Sequence, residues 1–227
     1  MTCSWRRRTA LGLALLAIAS SVANAQGAGP NAVLTPLAAL QPGGLPDGWI
    51  AARTGRGAAA EWAVVADPTA RGGMALTQTK ADPTDYRYPL AIVPGAKAAD
   101  VEVIVRFRPV SGRTDQAGGL AIRLRDADNY YVVRANALED NVRLYRVVEG
   151  NRREISGASA RVTSGQWHTL GLRAEADRFT ITFDGKTLFT ATDRSFPDAG
   201  RVALWTKADS VTGFEALTIM PLAGPAR

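Results

Sequence analysis

Between Asp128 and Val147 the chain reads DNYYVVRANALEDNVRLYRV, with tyrosine, arginine and asparagine side chains set among short apolar steps. Aromatic rings of this kind stack on the apolar faces of sugars, and guanidinium and amide groups donate in fixed geometries to hydroxyl, carbonyl or carboxylate oxygens. Whether these groups can act together depends on strand phase, because successive side chains of a β-strand point to opposite faces. In the first half, Tyr131, Val133, Ala135 and Ala137 read inward and leave Tyr130, Arg134 and Asn136 outward. In the second, Val142, Leu144 and Val148 read inward and Arg143, Tyr145 and Glu149 outward, with Arg146 breaking the pattern at the sheet margin.

Two further stretches add to the outward set. In GGLAIRLRD, Arg123 and Arg125 oppose Leu120, Ile122 and Leu124; near the C-terminus, Trp205 and Lys207 oppose Val202 and Leu204. Arg123, Arg125, Tyr130, Arg134, Asn136, Arg143, Tyr145, Trp205 and Lys207 therefore form the candidate ligand-binding face, suited to a carbohydrate or an acidic glycan. The competing reading is a solvated sheet face, for which long-stemmed polar side chains are equally apt.

Other chemistry is sparse. His168 is the only histidine and lies in phase with Leu170 and Leu172, which reads as a packed structural residue, and neither Ser164 nor Asp177 completes a triad with it. The DADN stretch from Asp126 to Asn129, with Asp209 from another loop, offers oxygens to calcium but lacks a bidentate glutamate. The expectation is no cofactor and no metal.

The elements that must position these groups are strands. Runs of five to nine residues alternate with period two, as in VEVIVRFRPV, and turn signals separate them at Pro94-Gly95, Ser111-Gly112, Glu139 to Asn141 and Glu149 to Asn151. Asp184-Gly185 between RFTITF and KTLFTAT predicts a two-residue hairpin. About a dozen short strands without helices for parallel crossovers predict an all-β, antiparallel two-sheet sandwich of jelly-roll type.

Residues 1–25 read as a signal peptide: Arg6, Arg7 and Arg8 precede the apolar run from Ala10 to Ala19, and Ala23-Asn24-Ala25 fits cleavage between small residues. That run is shorter than the roughly 20 residues a membrane-spanning helix requires. A proline-rich, irregular lead-in is expected over 26–46, the jelly-roll domain over 47–221 and a tail over 222–227. Beyond Cys3 the chain has no cysteine, which excludes disulfides and thiol chemistry from the processed protein. Loss of three arginines with the leader lowers the net charge from +6 to +3, and no basic block remains to track nucleic acid or bind a membrane. The expected location is periplasmic or secreted.

The segments GGLAIRLRDADNYYVVRANALEDNVRLYRVVEGNRREI, GQWHTLGLRAEADRFTITFDGKTLF and GRVALWTKADSVTGFEALTI resemble concanavalin A-like, laminin G-like jelly rolls of exported bacterial proteins. Within that class they are most similar to the 3-keto-disaccharide hydrolase domain, formerly a domain of unknown function. The resemblance implies a fold that carries glycan binders, glycosidases and adhesion modules alike. Family 16 glycosidases of this fold bear E-x-D-x-E on one strand, holding carboxylates at the roughly 5 Å that retention requires; this chain has no such triplet.

Three functions stay open. One is a non-catalytic carbohydrate-binding or adhesion domain. A second, implied by the resemblance, is cleavage of a 3-keto-glycoside, where the ketone acidifies the neighbouring C2 proton. Arg134, Arg125 or Lys207 would polarise the carbonyl there, and Glu139, Asp126 or Asp140 would take the proton. A third is a structural accessory domain of the cell envelope.

Overall fold

The computed structural model describes Met1 and residues 33–35, 37 and 41–222. The leader beyond Met1, most of the lead-in and the last five residues of the tail lie outside them. Among the described residues there are fifteen strands in two antiparallel sheets.

The first sheet is built from β1 (Val33–Thr35), β3 (Trp62–Ala66), β4 (Met74–Gln78), β6 (Val101–Ser111), β11 (His168–Glu175), β12 (Arg178–Phe183), β13 (Lys186–Thr192) and β15 (Val211–Pro221). Its order is β13-β12-β11-β6-β15-β4-β3, and β1 pairs with β15. Three residues of the segment expected to be irregular thus form a strand. Val33–Thr35 aligns with Leu217–Ile219, on the stretch of β15 beyond its pairing with β4.

The second sheet has the order β10-β9-β8-β7-β14-β5-β2. Its strands are β2 (Ile50–Gly55), β5 (Arg87–Ala98), β7 (Ala117–Asp126), β8 (Asn129–Asn136), β9 (Asn141–Val148), β10 (Asn151–Ser159) and β14 (Gly200–Trp205). Pro94-Gly95 was expected to be a turn; it lies inside β5, where the pairing with β14 jumps from Ile92 to Lys97. Strand β5 bulges there instead of reversing.

Period-two alternation produces the core between the sheets. Val101, Val103, Val105 and Phe107 from β6 meet Leu170 and Leu172 from β11, Phe179 and Ile181 from β12, and Leu120, Ile122, Tyr131 and Val133 from the facing sheet. Asp184 and Gly185 adopt positive φ of 46° and 77°, as the predicted two-residue hairpin requires.

The second sheet is strongly curled. On a flat sheet the four strand spacings from β2 to β8 would separate them by about 19 Å. Yet Thr54 on β2 places its hydroxyl 2.7 Å from the Tyr130 hydroxyl on β8. The outer face of this sheet is therefore concave.

Phe107 is fully buried and its ring meets those of Phe214 and His168. Phe107→Ala is expected to cost about 3 to 5 kcal/mol, read as a lowered denaturant midpoint with an unchanged slope.

Candidate functional site

Register places much of the expected face together. Tyr130, Val132, Arg134 and Asn136 on β8 oppose Val147, Tyr145, Arg143 and Asn141 on β9. Ala203 and Trp205 on β14 align with Ala121 and Gly119 of β7. Tyr130, Arg134, Asn136, Arg143, Tyr145 and Trp205 consequently project from the concave side, with Lys207 just past the end of β14.

The rings are not the exposed stacking surface expected from the sequence. Tyr130 and Trp205 have no exposed area and Tyr145 only 7%. With Tyr88, Leu90, Val132 and Val147 they form a second apolar core inside the curl. Trp205 stacks on Tyr88 with ring centroids 5.4 Å apart. The Tyr130 hydroxyl accepts from Trp205 Nε1 at 3.2 Å and meets Thr54, and burial pushes its pKa up. Curvature is the reason: a face that would be open on a flat sheet is filled by its own side chains.

The other end of the concavity is polar. Arg134, only 3% exposed, donates to Glu139 at 2.7 Å, to the Tyr145 hydroxyl at 3.1 Å and to Asn141. Asn136 donates to Asp115 at 2.8 Å, and the Lys207 ammonium lies 2.8 Å from Asp115 and 2.7 Å from Asp85. Half-exposed Arg143 pairs with Glu154 at 2.6 Å. Glu139, Asn141, Arg143, Gly157, Ala158 and Ser159 line a hollow of about 260 Å³ beside this network. A Cβ on Gly157 would come within 2.9 Å of Arg143 Cγ, so glycine lets the arginine lie across β10.

The charges here are mutually set. Burial pushes the Glu139 carboxyl up, but the hydrogen bond from Asn141 and the Arg134 guanidinium outweigh it and hold it below its ordinary value. Burial pushes Asp115 up and prevails over Lys207. Burial works against the Lys207 charge, but Asp115 and Asp85 more than offset it and raise its pKa. The arrangement presents fixed donors and acceptors at the hollow while its buried charges are satisfied internally.

Arg123 and Arg125 do not belong to this surface. Arg123 has φ of 48° at a bulge that shifts the pairing of β7 with β8 between Ile122 and Asp126. The extra residue flips the phase, so Leu124 joins the concave cluster and Arg123 turns into the protein. Its guanidinium donates to the carbonyls of Ala99, Phe196 and Ala176 at 2.8, 2.9 and 2.6 Å. Arg125 pairs with Asp198 at 3.0 Å, away from the hollow. Val148, expected inward, is 39% exposed because it ends β9 at the hairpin turn.

His168 is buried against Phe107 and Phe183, with Nδ1 2.8 Å from Asp184, as expected of a structural histidine. Asp126 spends its carboxylate on the turn, accepting from the Asp128 amide at 2.8 Å and Asn129 Nδ2 at 2.9 Å. Asp209 accepts from the amides of Arg113, Thr114 and Asp115. Sequence reasoning missed Asp85, Asp115 and Asn141 as partners of the site. Asn141 carried a signal, since a turn of four residues fixes its register opposite Asn136; Asp85 and Asp115 carried none, because their partner Lys207 is remote in sequence.

Fold and register define a concanavalin A-like jelly-roll sandwich, the class expected from the sequence. The carbohydrate-binding module CBM66 from Bacillus subtilis is similar, with a TM-score of 0.60 and 22% identity, over 76% of this chain and 95% of its own. A Bacillus subtilis protein of unknown function with a galectin-like fold reaches 0.58 at 9% identity, covering 85% and 96%, and the β-glucanase of Bacillus licheniformis 0.52 at 10%, covering 84% and 98%. No family model and no curated protein matches the sequence.

Removing the buried guanidinium in Arg123→Met leaves backbone carbonyls without their donor and is expected to cost about 1 to 3 kcal/mol with the concave face unaltered, read by denaturation of both proteins. A second expectation concerns acid. Burial pushes the Asp193 carboxyl up, but hydrogen bonds from Ser195, Tyr131 and Arg146 outweigh it and hold it at about 2 against an ordinary 3.8. A depressed pKa stabilises the fold above its unfolded value, so this contribution is present above about pH 4 and disappears as pH falls towards 2. Asp193→Asn should flatten the loss of stability across that window in a series of melts at fixed salt.

Proposed function

We propose that the protein is an exported carbohydrate-binding jelly-roll domain that holds its ligand at the polar end of the concave sheet. The observation that carries this reading is the hollow beside Glu139, Asn141 and Arg143, whose groups are fixed by Arg134, Tyr145 and Glu154 before any ligand arrives. Preorganised donors lose little side-chain entropy on binding. The fold is shared with a carbohydrate-binding module and a β-glucanase, which supports a sugar as the ligand class. Export to the periplasm or beyond is supported by the arginine-led apolar segment ending at Ala25. An acidic glycan is the finer expectation, supported by the guanidinium groups around the concavity.

Cleavage of a 3-keto-glycoside is the second reading, favoured by the juxtaposition of Arg134 and Glu139 at 2.7 Å. It asks a carboxylate that is held ionised by its neighbours to accept a proton, and a depressed pKa weakens a base. The raised carboxyl, Asp115, is 2% exposed and already engaged by Asn136 and Lys207.

A broad glycan array probed with the processed chain is expected to return a binder, and Arg143→Ala to weaken it about tenfold, or about 1.4 kcal/mol, without a change in melting temperature. An array with no binder would sink the binding reading, and product release from 3-keto-sugars would replace it with the catalytic one.

A further inference from the structure

A second hollow, of about 590 Å³, lies at the tip of the β9–β10 hairpin, lined in part by Tyr86, Arg146, Glu149, Arg152, Arg153 and Ser195. Its charges differ from those of the polar network around Arg134. There, Arg134 and Arg143 stand directly opposite each other on β8 and β9, but each has its own carboxylate, Glu139 and Glu154. At the hairpin, Arg146 and Arg153 are likewise directly opposite. Like charges in that position repel. Only Arg146 has a carboxylate, Asp193; among the described residues neither Arg152 nor Arg153 forms an ion pair, and Glu149 on the rim joins none.

Arg152 is held by rings instead. Its guanidinium lies 4.4 Å from the Tyr145 ring centroid, 4.9 Å from Tyr88 and 5.7 Å from Trp205. Cation–π contact engages the face of a guanidinium and leaves its edge N–H groups in need of acceptors. Nη1 is buried and has no acceptor among the described residues. Across the hollow, Tyr86 exposes 55% of its surface, and with the Arg56 guanidinium 5.9 Å from its ring centroid it offers a partly open ring of the kind on which sugars pack.

We infer that this hollow is a subsite for an anionic substituent of the glycan, a carboxylate or a sulfate ester, with Arg153 binding the anion, Arg152 adding its charge from the concave side of β10 and Tyr86 supporting the sugar ring. The inference rests on the carbohydrate reading and adds to it the place where the charge of the ligand is held. An oxyanion here gives Arg153 the ion-pair partner it lacks among the described residues and relieves the repulsion between Arg153 and Arg146. Arginine favours this role because its planar fork binds oxyanions with two parallel hydrogen bonds.

The test is calorimetric titration of the processed chain with three probes of equal length: oligogalacturonate, a sulfated galactan oligosaccharide and its neutral galactan counterpart. At least one charged probe is expected to bind about tenfold more tightly than the neutral one, and the stronger of the two identifies the anion. Arg153→Gln, at an exposed position, is expected to remove most of that preference and leave neutral binding intact. Arg152→Gln should do the same, with a melt recorded because its side chain also packs on the rings. Equal affinity for charged and neutral probes, or a preference unchanged in Arg153→Gln, overturns the subsite while leaving carbohydrate binding standing. No binding of any probe, together with a blank array, overturns both.

Discussion

The curl of the seven-stranded sheet governs what the molecule can present to a ligand, and the Tyr130 hydroxyl marks where that curl closes. Thr54 from the edge strand and Trp205 from the middle of the sheet both reach this one oxygen. Burial pushes the phenol pKa up, so it stays neutral and serves as both acceptor and donor. Hydroxyl pairing inside a desolvated space is costly to break: Thr54 also donates to the Ala127 carbonyl, but without Thr54 the buried Tyr130 O–H would have no acceptor. At this end the concavity is closed by its own rings. At the other, Arg134, Asn136 and Lys207 keep it polar. One face is thus divided along its length into a core and a mouth.

Much of this was legible in period-two alternation, and the exceptions have local causes. Phase on β8 and β9 correctly assigned Tyr130, Arg134, Asn136, Arg143 and Tyr145 to one side, since those strands pair without a register shift. Strand β7 does not, and the bulge at Arg123 exchanged the places of an arginine and a leucine. A positive φ at a non-glycine residue inside an alternating run leaves no mark in composition. Burial of Tyr130 and Trp205 was invisible for a different reason: it depends on contacts between Thr54 and Tyr130, 76 positions apart, and on a curvature that alternation does not encode. Sequence pattern reports which face a side chain joins; curvature decides whether that face is surface.

Arginine is used here in three physical settings. Arg123 is buried and answered by backbone carbonyls, with Asp100 3.5 Å away, so it ties β7 to the loops around it. Arg134 and Arg143 are answered by glutamates at the edge of the concavity, where charge is fixed and geometry is exposed. Arg152 is answered by rings, and Arg153 by none of the described carboxylates. A buried charge without a counter-ion is unfavourable unless some other partner is available. The last setting leaves cationic charge for something outside the chain to neutralise.

Recognition and catalysis make different demands on the groups at the polar mouth. A general base must hold a lone pair whose protonation is within reach near the working pH. Glu139 fails this because the groups that orient it also stabilise its charge: Asn141 donates to it at 3.0 Å and Arg134 at 2.7 Å. Asp115 has the raised pKa that a base needs but not the access, sealed beneath Asn136 and Lys207. Fixed, ionised and internally satisfied groups are poor at moving protons and good at reading hydroxyls, because their lone pairs and N–H vectors are already aimed. The bonds that lower the basicity of Glu139 are therefore the same ones that hold its surroundings in a fixed array of donors and acceptors.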